Sequence, residues 1–186
     1  LTLHVWTPGL DGAKRPVMVW LHGGAFSYGS ANSPRYDSTN LAGRNDVVVV
    51  AINHRLNIFG HLDLSEVGGE RFASSGNTGL LDLVLALQWV RAHAARFGGD
   101  PGNVTIFGQS GGGGKVSALL AMPQAKGLFH KGIVQSGASI RFAEKERTTQ
   151  LAAAVLKQLG LSAQQLDALQ ALPLEKLQGV VASAQA

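Results

Sequence analysis

Val104-Thr-Ile-Phe-Gly-Gln-Ser-Gly-Gly112 is the stretch on which the fold turns. Its β-branched and aromatic residues read as a buried strand that runs without a spacer into Gly108-Gln109-Ser110-Gly111-Gly112, after which a helix is predicted from Gly112 to Met122, ended by Pro123. Alone, Gly-x-Ser-x-Gly could be a glycine-rich turn with an incidental serine. Between a strand and a helix it reads as a nucleophile elbow, in which the serine sits on a strained turn above a sheet and side chains two positions either side would collide with neighbouring backbone. Gly108 and Gly112 remove that collision, and the helix after Ser110 turns its free amides and positive dipole end toward a forming oxyanion. Two phosphate-binding alternatives fail on spacing. A P-loop needs glycine where Gln109 stands and a hydroxyl residue where Val116 follows Lys115, and a dinucleotide fingerprint starting at Gly111 or Gly112 needs glycine at Val116 or Ser117.

Upstream, Val17-Met-Val-Trp-Leu-His-Gly-Gly-Ala-Phe26 ends a second strand in small residues that let backbone amides approach a carbonyl; in isolation His22-Gly23-Gly24 could equally be a tight turn with a packed histidine. Val17–Leu21, Val47–Asn53, Val104–Gly108 and Gly132–Gln135 are predicted as buried strands, with a helix from Thr78 to Phe97 that places Leu81, Val84, Leu85, Leu87 and Trp89 largely along one apolar face. This alternation predicts an α/β fold with a mostly parallel sheet and helices on both faces. Thr2–Trp6, followed by turn signals, fits an antiparallel neighbour. From Ala143 the texture turns helical: Glu144 to Leu159 stopped by Gly160, a second helix opened by a Ser162/Gln165 capping box, a third started at Pro173. Residues 1–142 are therefore expected to form the catalytic part and 143–186 to begin a cap or subregion of the same domain.

The 16 Lys+Arg exceed the 12 Asp+Glu by a scattered +4, with no run that could track a phosphate backbone, so nucleic-acid binding is not expected. A 45% apolar and 15% charged composition excludes disorder. The longest apolar run, Val47 to Ile52, is far short of the roughly 20 residues of a transmembrane helix. Without cysteine there is no disulfide framework or thiolate zinc site, the carboxylates and histidines lack metal-ligand spacing, and no cofactor is expected. Leu1 opens inside a strand-like run and Ala186 closes inside a helical pattern, so the chain is expected to be part of a longer one; any signal peptide would precede it.

Phe97-Gly-Gly-Asp-Pro-Gly-Asn-Val-Thr-Ile-Phe-Gly-Gln-Ser-Gly-Gly112 resembles the serine signature of the type-B carboxylesterases, the family of cholinesterases and bacterial para-nitrobenzyl esterases. Leu3-His-Val-Trp-Thr-Pro8, Trp20-Leu-His-Gly-Gly-Ala-Phe26, Asn53-His-Arg-Leu56, Gly76-Asn-Thr-Gly-Leu-Leu-Asp82 and Gly127-Leu-Phe-His-Lys-Gly-Ile-Val-Gln-Ser-Gly137 are similar to further landmarks in family order. The resemblance implies an α/β-hydrolase fold, truncated before its last strands, and a serine esterase that forms an acyl-enzyme on Ser110 from a small-molecule carboxylic ester. It implies an oxyanion hole of the Gly24, Ala25 and Gly111 amides, shaped by Gly23, and a structural Arg55–Asp82 ion pair under the sheet.

Gln109 and Gly111 depart from the family's usual Glu and Ala, which weakens the case for a cationic substrate such as a choline ester; His54 and Asn57 replace the commoner Tyr and Gly and read as packing variants. The triad order of this fold is serine, acid, histidine. Only His130 follows Ser110, with no acidic residue between, so His130 is read as structural, and the acid and base are expected after Ala186, leaving the isolated chain inactive. The rival reading is a non-catalytic binding or adhesion protein of the same fold.

Overall fold

The computed structural model describes residues 1–184. Strands β1 (Thr2–Trp6), β2 (Arg15–Leu21), β3 (Val48–Asn53), β4 (Gly99–Gln109) and β5 (Lys131–Gln135) alternate with helices α1 (Thr39–Asn45), α2 (Asn57–His61), α3 (Ser65–Gly68), α4 (Thr78–His93), α5 (Gly111–Ala121), α6 (Lys145–Leu159), α7 (Ala168–Ala171) and α8 (Leu174–Ala184). The sheet order is β1-β3-β2-β4-β5, with β1 antiparallel to β3 and every other pair parallel.

β3, β2 and β4 are the interior strands, and β3 is buried on both faces from Val48 to Ile52. Val17 lies beside Val48 and Val104, and Val19 beside Val50 and Ile106, so one face of three strands forms a continuous apolar layer. Leu83, Val84 and Leu87 of α4 and Val116 and Leu119 of α5 pack on that layer. Each such side chain, taken fully out of water, contributes about 1.5–3 kcal/mol. On the opposite face Trp20 packs at tilted angles between Tyr36 of the turn Pro34–Tyr36 and Phe107, with ring centres 5.1 and 4.9 Å apart.

The buried face of α4 differs from the one the spacing predicts. Leu80, Leu83, Val84, Leu87 and Val90 are buried, whereas Leu85 is 54% exposed and Trp89 is half-buried. Apolar residues fill nearly every position from Leu80 to Val90, so periodicity has no polar stripe by which to select a face. The helix also ends at His93, and Ala94–Phe97 tightens into a 3-10 turn closed by Gly98 at φ 75°.

The chain groups into two compact units, Leu1–Arg55 with Leu80–Ile140, and Leu56–Gly79 with Arg141–Ala186. The short helices of residues 56–79 thus belong with the later helical segment rather than with the sheet that precedes them in sequence. Within that second unit, Ala152, Val155, Leu156 and Leu159 of α6 pack with Leu62, Leu64, Leu166 and Val180. Gly160 caps α6 at φ 68°, and the Gln165 side-chain oxygen accepts from the Ser162 amide at 3.1 Å and its hydroxyl at 3.0 Å. The turn this opens is a 3-10 turn, Ala163–Gln165, followed by the single-turn α7.

Candidate active site

β4 delivers Ser110 to the carboxyl end of the sheet, where its backbone adopts φ 55°, ψ −125°. For a residue with a Cβ this conformation costs about 1–3 kcal/mol and persists only where the surroundings enforce it. Here the Ser110 amide donates to Gln135 O at 2.8 Å, and Ser110 O accepts from the Gly114 amide at 3.1 Å. Close backbone approach leaves no room for side chains around the turn. A Cβ on Gly108 would lie 2.5 Å from Gly112 C and O, and one on Gly112 would lie 2.0 Å from Leu21 O. Gly137 braces the turn from the β5 side, since a Cβ there would fall 1.9 Å from Ser110 O.

The loop after β2 faces the serine. Gly24, Ala25 and Phe26 take φ values of 103°, 49° and 64°, and Gly24 O accepts from the amides of Ser27 and Tyr28 at 2.8 and 3.0 Å, curling the loop on itself. A Cβ on Gly23 would lie 3.5 Å from Ser110 Cβ, and one on Gly111 would lie 2.6 Å from Ala25 N. Loop and elbow are therefore in contact, with Ala25 N against Gly111. Among the described residues, nothing accepts a hydrogen bond from the N–H groups of Gly24, Ala25 or Gly111. These unbonded amides lie beside an exposed serine at the N-terminus of an 11-residue helix, where the helix dipole favours negative charge.

His22 sits beneath this loop, 1% exposed, with Nδ1 2.7 Å from Gly23 O; a carbonyl only accepts, so Nδ1 carries the proton. Its ring stacks on His54 at 5.1 Å, which gives His54 the packing role expected of it. Burial, and secondarily the charge of Lys115, push the His22 pKa below the ordinary imidazole value, which keeps the ring neutral. Asn57, at φ 55°, occupies the left-handed region that asparagine tolerates better than most residues. His130 N donates to Val104 O at 2.8 Å and its Nδ1 accepts from Val104 N at 3.1 Å, so it joins the start of β5 to β4 as a structural residue. Among the described residues no imidazole or carboxylate hydrogen-bonds the Ser110 hydroxyl, and no group of three or more His, Asp or Glu could hold a metal ion.

Arg55, two residues beyond β3, and Asp82, in the second turn of α4, pair as the resemblance implied. Arg55 Nε and Nη2 donate to the Asp82 carboxylate at 2.9 and 2.8 Å, and the Arg55 amide adds a third bond at 3.0 Å. Burial acts to raise the Asp82 pKa, and the Arg55 hydrogen bonds outweigh it, holding the carboxyl below its usual range.

Two contributors escape a reading of the sequence. Lys115 is fully enclosed and donates from Nζ to His22 O at 2.8 Å, and Gln135 with Gly137 buttresses the elbow. A lysine within the otherwise small and apolar Gly111–Ala121 helix is the signal that could have drawn attention to the first.

A serine on a positive-φ turn at the end of an interior strand of a mostly parallel sheet, opposed by a glycine-rich loop, defines an α/β-hydrolase. A family model described as the carboxylesterase family matches residues 1–185, and the chain belongs to that family. It is 49% identical over 177 residues to the para-nitrobenzyl esterase of Bacillus subtilis, covering 95% of this chain and 35% of that protein. It is 46% identical over 136 residues to the phenmedipham hydrolase of Pseudarthrobacter oxydans, covering 73% of this chain and 26% of the other. Among solved structures, the Geobacillus stearothermophilus carboxylesterase EST55 superposes with a TM-score of 0.94 at 45% identity, over 97% of this chain and 38% of its own. The chain thus spans between about a quarter and a third of the length of these curated relatives.

Proposed function

We propose that the protein containing this chain hydrolyses small-molecule carboxylic esters through an acyl-enzyme on Ser110. The observation that carries this reading is the exposed Ser110, on its φ 55° turn, set against the unbonded amides of Gly24, Ala25 and Gly111. Ser110 Oγ attacks the ester carbonyl carbon as an imidazole takes its proton, and the carbonyl oxygen becomes an oxyanion that accepts from the three amides. The tetrahedral centre collapses, the alcohol leaves with the proton, and the acyl group stays on Ser110 until a water molecule, deprotonated by the same imidazole, releases the acid. The imidazole and the carboxylate that orients it come from residues after 186. Residues 143–186 begin a cap or subregion of the same catalytic domain.

The neutral Gln109 beside the serine favours uncharged esters over cationic ones. The test is hydrolysis of p-nitrophenyl acetate by the full-length protein, with fluorophosphonate labelling and peptide mapping. Turnover and a label on Ser110 are expected, both abolished in Ser110→Ala. Undiminished turnover in that variant, or an active-site label on a different residue, refutes the assignment. An intact full-length protein with neither turnover nor label would instead favour the binding-protein reading of the same fold.

A further inference from the structure

Lys115 lies one turn into α5, and the ester hydrolysis described above makes no use of it. An amine with 0% exposure is rare, and this one has two contacts. Its Nζ donates to His22 O at 2.8 Å and stands 5.4 Å from the centre of the Phe26 ring. His22 and Phe26 flank Gly23-Gly24-Ala25, the segment that carries two of the three proposed oxyanion donors. One ammonium group therefore touches both the entry and the exit of that segment.

The loop needs such an anchor. Gly24, Ala25 and Phe26 are consecutive residues at positive φ, two of them with side chains, and a strained run of this kind keeps its shape only when its surroundings fix it. The anchor also comes from the right element: α5 begins at Gly111, so the helix that supplies one donor also ties down the other two. Among the described residues no carboxylate pairs with Lys115, and the titratable groups beside it are His22 at the end of β2 and, stacked on His22, His54 after β3. A buried cation without a counter-ion is a poor stabiliser, often improved upon by an apolar side chain of similar size. Its presence under this loop points to the loop.

We infer that Lys115 is a positioning residue for the oxyanion loop: its ammonium ties His22 O and the Phe26 ring to α5 and so holds the Gly24 and Ala25 amides in register with Gly111. This rests on the esterase reading of Ser110. The experiment uses full-length protein with Lys115→Met, which keeps the length of the side chain and removes both the charge and the donor. The expected result is a fall in kcat for p-nitrophenyl acetate of about 10- to 100-fold, less than or equal to the loss of a whole donor, with KM nearly unchanged because the oxyanion exists only beyond the ground state. Affinity for phenylboronic acid, which presents a tetrahedral oxyanion on Ser110, falls in parallel, while Tm holds or rises. A lysine that served only the packing would leave kcat and boronate affinity of the folded enzyme unchanged, whatever happened to Tm.

Phe26→Leu removes the ring and keeps the bond to His22 O; the same readouts should move in the same direction by about three- to tenfold, the value of a partly buried cation–π contact. This second variant carries the test if Lys115→Met does not fold. Unchanged kcat and boronate affinity in Lys115→Met, or in Phe26→Leu where that variant carries the test, with an active wild type, overturn the assignment of Lys115 alone. A wild type with neither turnover nor phosphonylation of Ser110 overturns both this assignment and the reading beneath it.

Discussion

Gly112→Ala puts a methyl group where a backbone carbonyl already lies. The new Cβ would stand 2.0 Å from Leu21 O, 3.0 Å from Leu21 C and 3.1 Å from His22 C. Ordinary carbon–oxygen contact is about 3.3 Å, so the two backbones must separate by roughly 1 Å or more. The end of β2 cannot give way freely, because Leu21 is paired with Ile52 on one side and Gly108 on the other, and its side chain is fully buried. The displacement therefore falls on the first turn of α5 and on Ser110. Overpacking against so fixed a neighbour costs about 3 kcal/mol, the upper part of the usual range. A shift of roughly 1 Å between nucleophile and donors lowers turnover by about 100-fold. Chemical denaturation gives the first quantity, and p-nitrophenyl acetate kinetics on the folded full-length variant give the second. Gly43→Ala is the control: it lies in α1, a Cβ there meets nothing within 4 Å, and the substitution should stabilise by about 0.5–1 kcal/mol. A Gly112→Ala protein with wild-type stability and kcat would show that the close approach of Gly112 to Leu21 has no consequence and would refute the elbow argument.

Asp82→Asn should destabilise by about 1–3 kcal/mol, less than loss of a fully buried pair because Arg55 is half exposed, and the double swap Arg55→Asp/Asp82→Arg should recover stability that neither single swap retains; a double mutant no better than the singles counts against a pairing role. Because the Asp82 pKa is lowered, the stability it contributes is present above the unfolded carboxyl pKa and is lost as pH falls through the lowered value, which an acid titration of wild type against Asp82→Asn measures. Burial pulls the Lys115 pKa down to about 8, so the folded state resists protonation. The sign is then a penalty paid below pH 8 and relieved as pH rises toward the unfolded lysine value, a gain of about 3 kcal/mol for wild type relative to Lys115→Met between pH 8 and 10.5; a constant difference across that window would contradict it. The 186-residue chain expressed alone should show no esterase turnover and should self-associate, since β5 is an edge strand paired only with β4, with Ile133 43% and Ile140 98% exposed; monomeric, active material in sedimentation and kinetic assays would contradict both.

Local chemistry was legible in the sequence where a single stretch contains its own explanation. The β-branched runs, Gly160 as a helix stop, and Gly108 and Gly112 around Ser110 all state a constraint within a few residues. What depends on partners far along the chain was not. The face of α4 is set by the sheet it covers, and a helix apolar almost all round does not announce it. Residues 56–79 join the later helices because Leu62 and Leu64 pack with α6, a contact no local pattern encodes. Arg55 and Asp82 came from the resemblance alone. Lys115 has no local signature beyond a lysine at the wrong spacing for a P-loop, since its partner is a backbone carbonyl, and a carbonyl is common to every residue.

The carboxyl end of β2 explains why nucleophile and donors meet at all. Because β2 and β4 are parallel neighbours, Leu21 aligned with Gly108, their ends emerge side by side. Each of the next residues is then used against the elbow: Leu21 O fills the space that Gly108 and Gly112 leave, His22 O takes the Lys115 ammonium, and Gly23 fits against Gln109 O and Ser110 Cβ. No residue between the strand and the donor loop is a spacer. A single insertion between Leu21 and His22 would leave the β2–β4 pairing intact while moving the whole loop one residue past the serine, exchanging carbonyls for amides around the turn. That variant should keep the β2–β4 pairing at reduced stability, because the buried Lys115 ammonium loses His22 O, and should lose its boronate affinity together with its turnover. Retained boronate affinity would mean that strand register does not set the distance between serine and donors.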